Sequence, residues 1–307
     1  MPNVSSLPVT WRRLRTSLQW AGLVILLCLE VFLLFNHEMG GSNAAPTYVP
    51  RNAALRNAAL ELFAPDSGYR TPRAIIVFFG NDVGFWGPHR RLAAGLALDG
   101  YAVVGVDIRS VLAGLPDAPV ARAQTVRTRL DAIIGGAYAE FDQWPDDTTG
   151  RVATLPDGAA RIPLLLAGHS LGAELALWAA ANVPAPALEG VVAISPGSRS
   201  HLRISAADIL MNAEPAGPGS FAVGDAIRLA VRAQPDLRVA VVRGSNDPMR
   251  SADAVLLSAG GSHVRRFGVP LAGHSMKRLA LAGLVVRRAL DWVLVASPPT
   301  RSHPSSL

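Results

Sequence analysis

Short apolar runs alternate along this chain with longer segments of helical periodicity, from about residue 60 to residue 295. Most of the apolar runs are continuous rather than interrupted by polar residues, which is typical of strands that are covered on both faces. The pattern predicts strands at Leu60–Phe63, Ala74–Phe79, Ala102–Val106, Pro163–Ala167, Val191–Ile194, Arg238–Val242 and His263–Val269.

The segments between these runs carry apolar residues at helical spacing. They predict helices at Arg90–Leu98, Ala121–Ala137, Ala173–Ala181, Asp225–Ala233, Ala252–Leu257 and Met276–Val295. Alternation of strand and helix predicts the α/β class, with a mostly parallel sheet flanked by helices. Two segments interrupt the alternation. Gln143–Ile162 is rich in Pro, Asp and Gly and predicts a surface excursion, and Pro196–Phe221 is long for a connection and predicts a small cap.

A strongly apolar run near the N-terminus, Leu18–Phe35, directly follows the arginine-rich segment Arg12–Arg15. A helix of this length spans about 27 Å, just enough to cross the hydrocarbon core of a bilayer. The preceding arginines predict a cytoplasmic N-terminus, an inner (plasma) membrane anchor and a domain outside the cytoplasm. The alternative is cleavage after Ala44, because Ser42 and Ala44 are small residues that a signal peptidase accepts; the product would be periplasmic or secreted.

These observations predict five parts in the chain. They are a cytoplasmic tail at 1–17, a transmembrane or signal-anchor segment at 18–36, a linker at 37–58, the α/β domain at 59–296 with its cap at 196–221, and a disordered Ser/Pro-rich tail at 297–307.

Composition excludes several classes of protein. The only cysteine, Cys28, can neither form an internal disulfide nor complete a zinc site, and the 7 histidines offer no closely spaced ligand pair. We therefore expect neither a metal nor a cofactor. The net charge of +6 comes from basic residues spread along the chain, all of them arginine except Lys277, and aromatic residues make up only 6%. Nucleic acid is therefore not expected as a partner.

The segment Gly168-His169-Ser170-Leu171-Gly172 matches the pattern G-x-S-x-G. It follows a predicted strand and precedes a predicted helix, so Ser170 would lie at a sharp turn that the flanking glycines permit. The turn places the serine hydroxyl at a helix N-terminus, where the Leu171 N–H and the helix dipole favour a developing oxyanion. The pattern indicates a nucleophilic serine; the alternative is an ordinary helix N-cap.

From about Leu60 to Val295 the arrangement resembles the α/β-hydrolase superfamily, in which the nucleophile is followed by an acid and then by a histidine. The resemblance implies a triad of Ser170, Asp247 and His274, since the last two follow the predicted strands at Arg238–Val242 and His263–Val269. His274 would take the serine proton, and Asp247 would hold its tautomer.

Alternatives to two members of this triad remain open at the sequence level. Asp253 is a rival for the acid, and Asp247 could instead be a turn residue ahead of Pro248. His263 is a rival for the histidine, although it opens its strand and would lie at the wrong edge of the sheet.

The loop after Ala74–Phe79 reads Gly80-Asn81-Asp82-Val83-Gly84-Phe85-Trp86. The superfamily resemblance assigns the second oxyanion donor to this loop, at Asn81, with Asp82 as the alternative; Leu171 supplies the first. The Gly- and Asp-containing segment that ends at Trp86, together with Val103-Val104-Gly105-Val106-Asp107, also resembles the bacterial virulence protein J family.

Three residues are candidate substrate contacts. A carboxylate at Asp82 is poorly placed for stabilising an oxyanion unless the substrate carries a cation there, so Asp82 is a candidate for binding an ammonium group; the alternative is that it caps the helix near Pro88. Trp86 could line an acyl pocket or belong to the core. His201, in the predicted cap, could touch substrate or be an exposed polar residue.

The sequence therefore predicts a membrane-anchored or exported serine hydrolase that cleaves an ester through an acyl-enzyme. The virulence protein J resemblance implies an aminoacylated phospholipid as a candidate substrate, and a membrane tether would favour a lipid-borne ester. Two other functions are open: an accessory or binding protein of the cell envelope with an unused triad, and a serine peptidase on the same fold.

Overall fold

The computed structural model describes residue 55 and residues 60–66, 71–142, 145–146, 151–152, 162–185, 187–205, 217–275 and 283–294. The predicted segment at 18–36, all but one residue of the predicted linker and the predicted tail at 297–307 lie outside these residues. None of the helices in the described ranges combines the length and apolarity needed to cross a membrane.

Seven strands within the described ranges form one sheet, in the spatial order β1-β3-β2-β6-β7-β10-β11. All neighbouring pairs are parallel except β1 with β3, which is antiparallel at one edge. The strands of the sheet are β1 (Leu60–Phe63), β2 (Ile75–Phe79), β3 (Ala102–Val106), β6 (Leu164–His169), β7 (Leu188–Ile194), β10 (Arg238–Gly244) and β11 (Val264–Val269).

Four short strands form two separate antiparallel pairs. β4 (Pro145–Asp146) pairs with β5 (Arg151–Val152) in the segment predicted as a surface excursion. β8 (Arg199–His201) pairs with β9 (Ser220–Ala222) at the two ends of the segment predicted as a cap.

Helices connect the strands of the large sheet. They are α1 (Gly87–Leu98), α2 (Ile108–Leu112), α3 (Pro119–Asp142), α4 (Leu171–Asn182), α5 (Val223–Ala233), α6 (Asp253–Gly260) and α7 (Gly283–Leu294), with 3₁₀ turns at Pro248–Ala252 and Gly261–His263. The predicted α/β class, a mostly parallel sheet flanked by helices, is confirmed.

Burial on both faces of the sheet explains why the strands are apolar without alternation. In β2, Ile75, Val77 and Phe79 belong to one hydrophobic cluster, whereas Ile76 and Phe78 belong to a second cluster on the opposite face. Successive side chains of a strand point to opposite faces, so a strand with helices on both sides must be apolar at every position.

The cluster that contains Ile75, Val77 and Phe79 also includes a residue from the predicted linker. The side chain of Leu55 is only 1% exposed and packs with one face of the sheet.

The edge strand β11 differs from the central strands, because Arg265 and Arg266 are exposed on it. Charged side chains on an edge strand disfavour pairing with another chain.

Candidate active site

A strained turn places Ser170 between β6 and α4. Its backbone has φ 54° and ψ −124°, a region that non-glycine residues rarely adopt. The Ser170 N–H donates to the carbonyl of Ile194 at 2.8 Å, which ties the turn to the neighbouring strand β7. This is the sharp strand-to-helix turn that the G-x-S-x-G pattern predicts.

Both glycines of the pattern are required by close backbone contacts. A Cβ at Gly168 would lie 2.1 Å from the carbonyl oxygen of Gly172, and a Cβ at Gly172 would lie 1.9 Å from that of Gly80. The second contact presses the turn that bears Ser170 against the loop that follows β2. No side chain fits at either position, because the neighbouring atoms are backbone.

The structure brings Ser170, His274 and Asp247 into one line of hydrogen bonds. Ser170 Oγ lies 2.9 Å from His274 Nε2, and His274 Nδ1 lies 3.0 Å from Asp247 Oδ1. This pattern assigns Nδ1–H as the donor to the carboxylate and Nε2 as the acceptor of the serine proton. The geometry is that of a nucleophile, a general base and an orienting acid.

The rival residues do not take part in this line. Asp253 is 6% exposed and accepts from Arg243 and Arg266. His263 precedes β11, at the end of that strand opposite to His274. Because the carboxyl ends of parallel strands meet at one edge of the sheet, a residue before its strand lies away from Ser170.

Asp247 is held in place from three sides. Its Oδ1 also accepts from the backbone N–H of Met249 at 2.9 Å, and its Oδ2 accepts from Nη1 of Arg243 at 2.8 Å. Burial acts to raise the pKa of Asp247, but the hydrogen bonds from His274 and Arg243 and the charge of Arg243 outweigh it. The pKa of this carboxyl therefore lies well below its ordinary value, and the group stays ionised.

The loop that carries His274 is attached to the loop that carries Asp247. The N–H of Asn246 donates to the carbonyl of Ala272 at 2.9 Å, and the N–H of Leu271 donates to Ser245 Oγ at 2.8 Å. Leu271 has a φ of 57°, so the reversal after β11 is itself strained. These contacts fix the relative position of the proposed acid and base.

Two further histidines support the site from below. His169 Nε2 lies 2.8 Å from the carbonyl oxygen of His274, and His169 Nδ1 lies 3.3 Å from Nε2 of His89. His89 Nδ1 accepts from the N–H of Trp86 at 3.3 Å. The protons can be placed in only one way: each imidazole is neutral, accepts at Nδ1 and donates from Nε2–H.

Burial keeps both of these imidazoles neutral. It lowers the pKa of His169 to about 3, with a further contribution from His274, and it lowers the pKa of His89 well below its ordinary value, with a contribution from His169. The sequence analysis did not assign a role to His89. His89 lies just before the predicted helix Arg90–Leu98, so apolar periodicity gave no signal that it is buried.

The candidate oxyanion donors lie on the two segments that meet at Gly172. Leu171 is the first residue of α4, and Asn81 directly follows Gly80, whose carbonyl contacts Gly172. Asn81 and Gly84 close a tight turn, in which the Gly84 N–H donates to the Asn81 carbonyl at 2.8 Å. The assignment of Leu171 and Asn81 as donors stays a prediction.

The candidate substrate residues have different surroundings. Asp82 is half-buried and has no hydrogen bond or ion pair with any described residue. It does not cap α1, because Trp86 is the N-cap residue there and its N–H is bonded to His89. The Trp86 side chain is half-buried and meets the His89 ring edge-on.

The structure differs from the expectation of an exposed His201. Its side chain is only 4% exposed, and the residue pairs with Ser220 in the β8–β9 ladder. His201 thus belongs to a small antiparallel pair in the cap segment, which the sequence pattern did not predict.

The described residues contain no cluster of His, Cys, Asp and Glu that could hold a metal ion.

No protein-family model and no curated protein matches the sequence. Solved structures do match. An esterase domain from a Rhodothermus marinus protein superposes with a TM-score of 0.51 at 15% identity, over 80% of this chain and 98% of that one.

Two further structures are similar to the same extent. A soluble variant of monoglyceride lipase from Saccharomyces cerevisiae, in complex with a substrate analogue, has a TM-score of 0.50 at 14% identity and covers 83% of this chain and 100% of its own. A putative dienelactone hydrolase from Klebsiella pneumoniae has a TM-score of 0.50 at 17% identity and covers 76% and 92%. The chain therefore has the α/β-hydrolase fold.

Proposed function

We propose that this protein is a serine hydrolase that cleaves a carboxylic ester through an acyl-enzyme. The observation that carries the proposal is the continuous hydrogen-bonded line from Ser170 through His274 to Asp247. It lies at the carboxyl edge of the sheet and begins at a serine whose backbone is strained. Strain of this kind persists only where the surrounding structure holds it, and it occurs preferentially at functional sites.

The mechanism follows from these contacts. Ser170 Oγ attacks the ester carbonyl carbon while its proton passes to His274 Nε2, and the carbonyl electron pair moves to the oxygen, where the N–H groups of Leu171 and Asn81 would receive it. Collapse of the tetrahedral intermediate breaks the carbon–oxygen bond to the alcohol, which takes the proton from His274. A water molecule then gives a proton to His274 as its oxygen attacks the acyl carbonyl carbon. Collapse of this second tetrahedral intermediate breaks the bond to Ser170 Oγ, which takes the proton back from His274 as the carboxylic acid is released.

Asp247 stays ionised throughout this cycle. Its depressed pKa means that the proton taken up by His274 remains on the imidazole, and the carboxylate stabilises the imidazolium electrostatically.

A fluorophosphonate probe tests the proposal directly. The probe should label the wild-type full-length chain and fail to label Ser170→Ala, and His274→Ala should slow labelling by several powers of ten. His263→Ala is the matched control, because it removes a histidine that lies outside the triad, and its labelling should match wild type. Absence of labelling in the wild type would leave the accessory protein with an unused triad as the better assignment.

Acyl esters and peptide anilides as substrates distinguish an esterase from a serine peptidase. We expect hydrolysis of acyl esters, measured over a series of chain lengths, and no cleavage of peptide anilides. Cleavage of the anilides at a comparable rate would assign the protein to the serine peptidases instead.

The finer proposal concerns an amino group in the substrate. Two acceptors lie in the loop after β2: the half-buried carboxylate of Asp82, and the buried Oδ1 of Asn81, which has no hydrogen bond with a described residue. A buried acceptor without a partner is costly, so an ammonium group next to the ester carbonyl would satisfy Asn81 Oδ1, and its positive charge would pair with the Asp82 carboxylate. An aminoacyl ester, such as an aminoacylated phospholipid, has this chemistry.

Asp82→Asn distinguishes this proposal from a structural role. The variant should lose at least tenfold in kcat/KM on an aminoacyl ester and change little on the matching ester without the amine. An equal loss on both substrates would mean that Asp82 does not recognise the amino group.

The proposed location is outside the cytoplasm, with the chain held to the membrane by residues 18–35. The arginines before this segment support the orientation. An alkaline phosphatase fused after Val295 should be active, whereas a reporter that works only in the cytoplasm should be silent there. The reverse result would overturn the orientation, and a mature protein that begins at Ala45 would mean cleavage and export.

A further inference from the structure

A fully buried guanidinium lies directly behind the acid of the proposed triad. Arg243, near the end of β10, has a side chain with 0% exposure. Its Nη1 donates to Asp247 Oδ2 and its Nε donates to Asp253 Oδ1, both at 2.8 Å, while its Nη2 donates to the carbonyl of Pro196 at 2.5 Å. All three nitrogens are therefore used, and the guanidinium joins three separate segments.

An arginine is not needed at this place for packing. Burial of a guanidinium and two carboxylates carries a large desolvation cost, and replacement of all three groups by apolar side chains of similar volume would avoid that cost. The two oxygens of Asp247 are also divided between different partners: Oδ1 faces His274 and Oδ2 faces Arg243. Arg243 thus acts on the same carboxylate that orients His274.

We infer that Arg243 is a positioning residue that sets how strongly Asp247 attracts a proton onto His274, and that Asp253 moderates this effect. The inference rests on the proposed function only for its catalytic consequence. The positive charge of Arg243 offsets part of the negative charge of Asp247 and so weakens the electrostatic stabilisation of an imidazolium at His274. The carboxylate of Asp253 offsets part of the charge of Arg243 and acts in the opposite direction.

Several other titratable groups lie near this pair among the described residues. The buried Glu174 accepts from the N–H of Gly197, the residue next to Pro196. Arg266, on β11, lies 3.4 Å from Asp253 Oδ2, and its side chain is 46% exposed, so solvent screens its charge. His169, at the end of β6, touches the carbonyl of His274 and is neutral, as is His89 behind it. Arg243 and Asp253 are therefore the charges whose removal should have opposite effects on His274.

The test measures protonation of His274 in the full-length protein by NMR, with ¹³C-labelled histidine side chains and His274→Gln to identify the resonance. Arg243→Gln should move the titration midpoint of this resonance upward by about one pH unit. Asp253→Asn should move it downward by a smaller amount. A purely structural role for Arg243 predicts no such pair of opposite shifts.

Arg250→Gln is the matched control. It removes an exposed arginine from the acid-bearing loop, where Nη1 donates to the Ser245 carbonyl. Its contact with Asp247 is a backbone hydrogen bond from the Arg250 N–H to the Asp247 carbonyl, which the variant keeps. In this variant the titration midpoint of the His274 resonance should stay within about 0.2 pH units of wild type, because solvent screens an exposed charge.

The double variant Arg243→Gln/Asp253→Asn provides a second test in case Arg243→Gln does not fold. It leaves fewer unpaired buried charges than Arg243→Gln does. Its midpoint should lie above that of Asp253→Asn. Arg243→Lys keeps the charge and loses the shared geometry, so its midpoint should stay near wild type while kcat for ester hydrolysis falls about tenfold or more.

Ester hydrolysis gives the second measurement. The acidic limb of the kcat/KM profile should move with the NMR midpoint in each variant. Unchanged midpoints in Arg243→Gln and Asp253→Asn, or shifts in the same direction, would overturn the inference even if the enzyme is active. Opposite shifts in a protein that does not label with a fluorophosphonate would retain the electrostatic coupling and reject the proposed function.

Discussion

His169 Nε2 donates to the backbone carbonyl of His274 over 2.8 Å, so the residue just before the proposed nucleophile supports the loop that bears the proposed base. Behind it, His89 connects this contact to the N–H of Trp86, at the end of the candidate oxyanion loop. The three loops of the site are thus joined by neutral hydrogen bonds beneath the triad.

The first prediction concerns this support. His169→Phe removes the donor and leaves the His274 carbonyl and the His89 N–H unpaired, so it should cost about 1–3 kcal/mol of unfolding free energy and lower kcat. His169→Gln keeps an N–H that can donate to the carbonyl, so it should recover most of kcat. Urea unfolding and ester hydrolysis measure the two effects. Equal kcat values for the Phe and Gln variants would show that the hydrogen bond does not position His274.

A second prediction follows from the strained backbone at Ser170. Glycine adopts φ 54° and ψ −124° more readily than alanine does, so Ser170→Gly should be more stable than Ser170→Ala by about 1 kcal/mol or more. Both variants should be inactive.

Ser110 provides the control for this comparison. It lies in the short helix α2, outside the positive-φ residues, so Ser110→Gly should be less stable than Ser110→Ala. Chemical denaturation of all four variants tests the reversal in order. The same order at both positions would contradict the strain at Ser170.

The third prediction is that acid weakens the fold through the buried histidines. The folded-state pKa of His169 is lowered to about 3, and that of His89 is also lowered, whereas an unfolded histidine titrates near 6.5. The unfolded chain therefore binds more protons between these values, so stability is complete above about pH 6.5 and is lost as the pH falls below it.

The size of this loss is set by proton linkage. Each such histidine contributes a slope of about 1.4 kcal/mol per pH unit well below pH 6.5, and Asp247 adds its own loss only below the ordinary pKa of an aspartate. Urea unfolding at pH 7, 6 and 5 measures the slope. His169→Gln should reduce this slope by about 1.4 kcal/mol per pH unit, the contribution of one proton. An unchanged slope would show that His169 does not titrate as described.

The fourth prediction tests the contact between the serine turn and the loop after β2. Gly172→Ala places a Cβ 1.9 Å from the carbonyl oxygen of Gly80, so one backbone segment must move. We expect a loss of about 3 kcal/mol or more in stability and loss of fluorophosphonate labelling. Gly273→Ala, in the histidine loop, serves as the control, because no described residue other than its chain neighbours has an atom within 4 Å of the new Cβ. Normal labelling of Gly172→Ala would contradict the close contact.

The sheet was predictable from the sequence because its physical cause is local. Strands buried on both faces must be apolar at consecutive positions, and Ala102–Val106 was predicted with the bounds that the structure has. The first helix was less well predicted: the pattern began at Arg90, but α1 begins at Gly87. Its first turn includes the buried His89, which a search for apolar periodicity does not detect.

The serine turn was also predictable from the sequence, because the need for glycine at 168 and 172 arises from contacts within a few residues and from one neighbouring loop. The sequence by itself therefore determined the fold class, the position of Ser170 and the order in which an acid and a histidine follow it. The structure then brought Asp247 and His274 to hydrogen-bonding distance, while their catalytic roles remain predictions.

Tertiary structure alone decided what surrounds these residues. The contact between His89 and His169 joins positions 80 residues apart, and the contact between His169 and His274 joins positions 105 residues apart. The burial of Arg243 between two aspartates likewise depends on three segments that meet only in the folded chain. Local patterns record which residues are apolar or small, but the partner of a buried polar group is set by packing between distant segments, and one sequence carries no signal of that pairing.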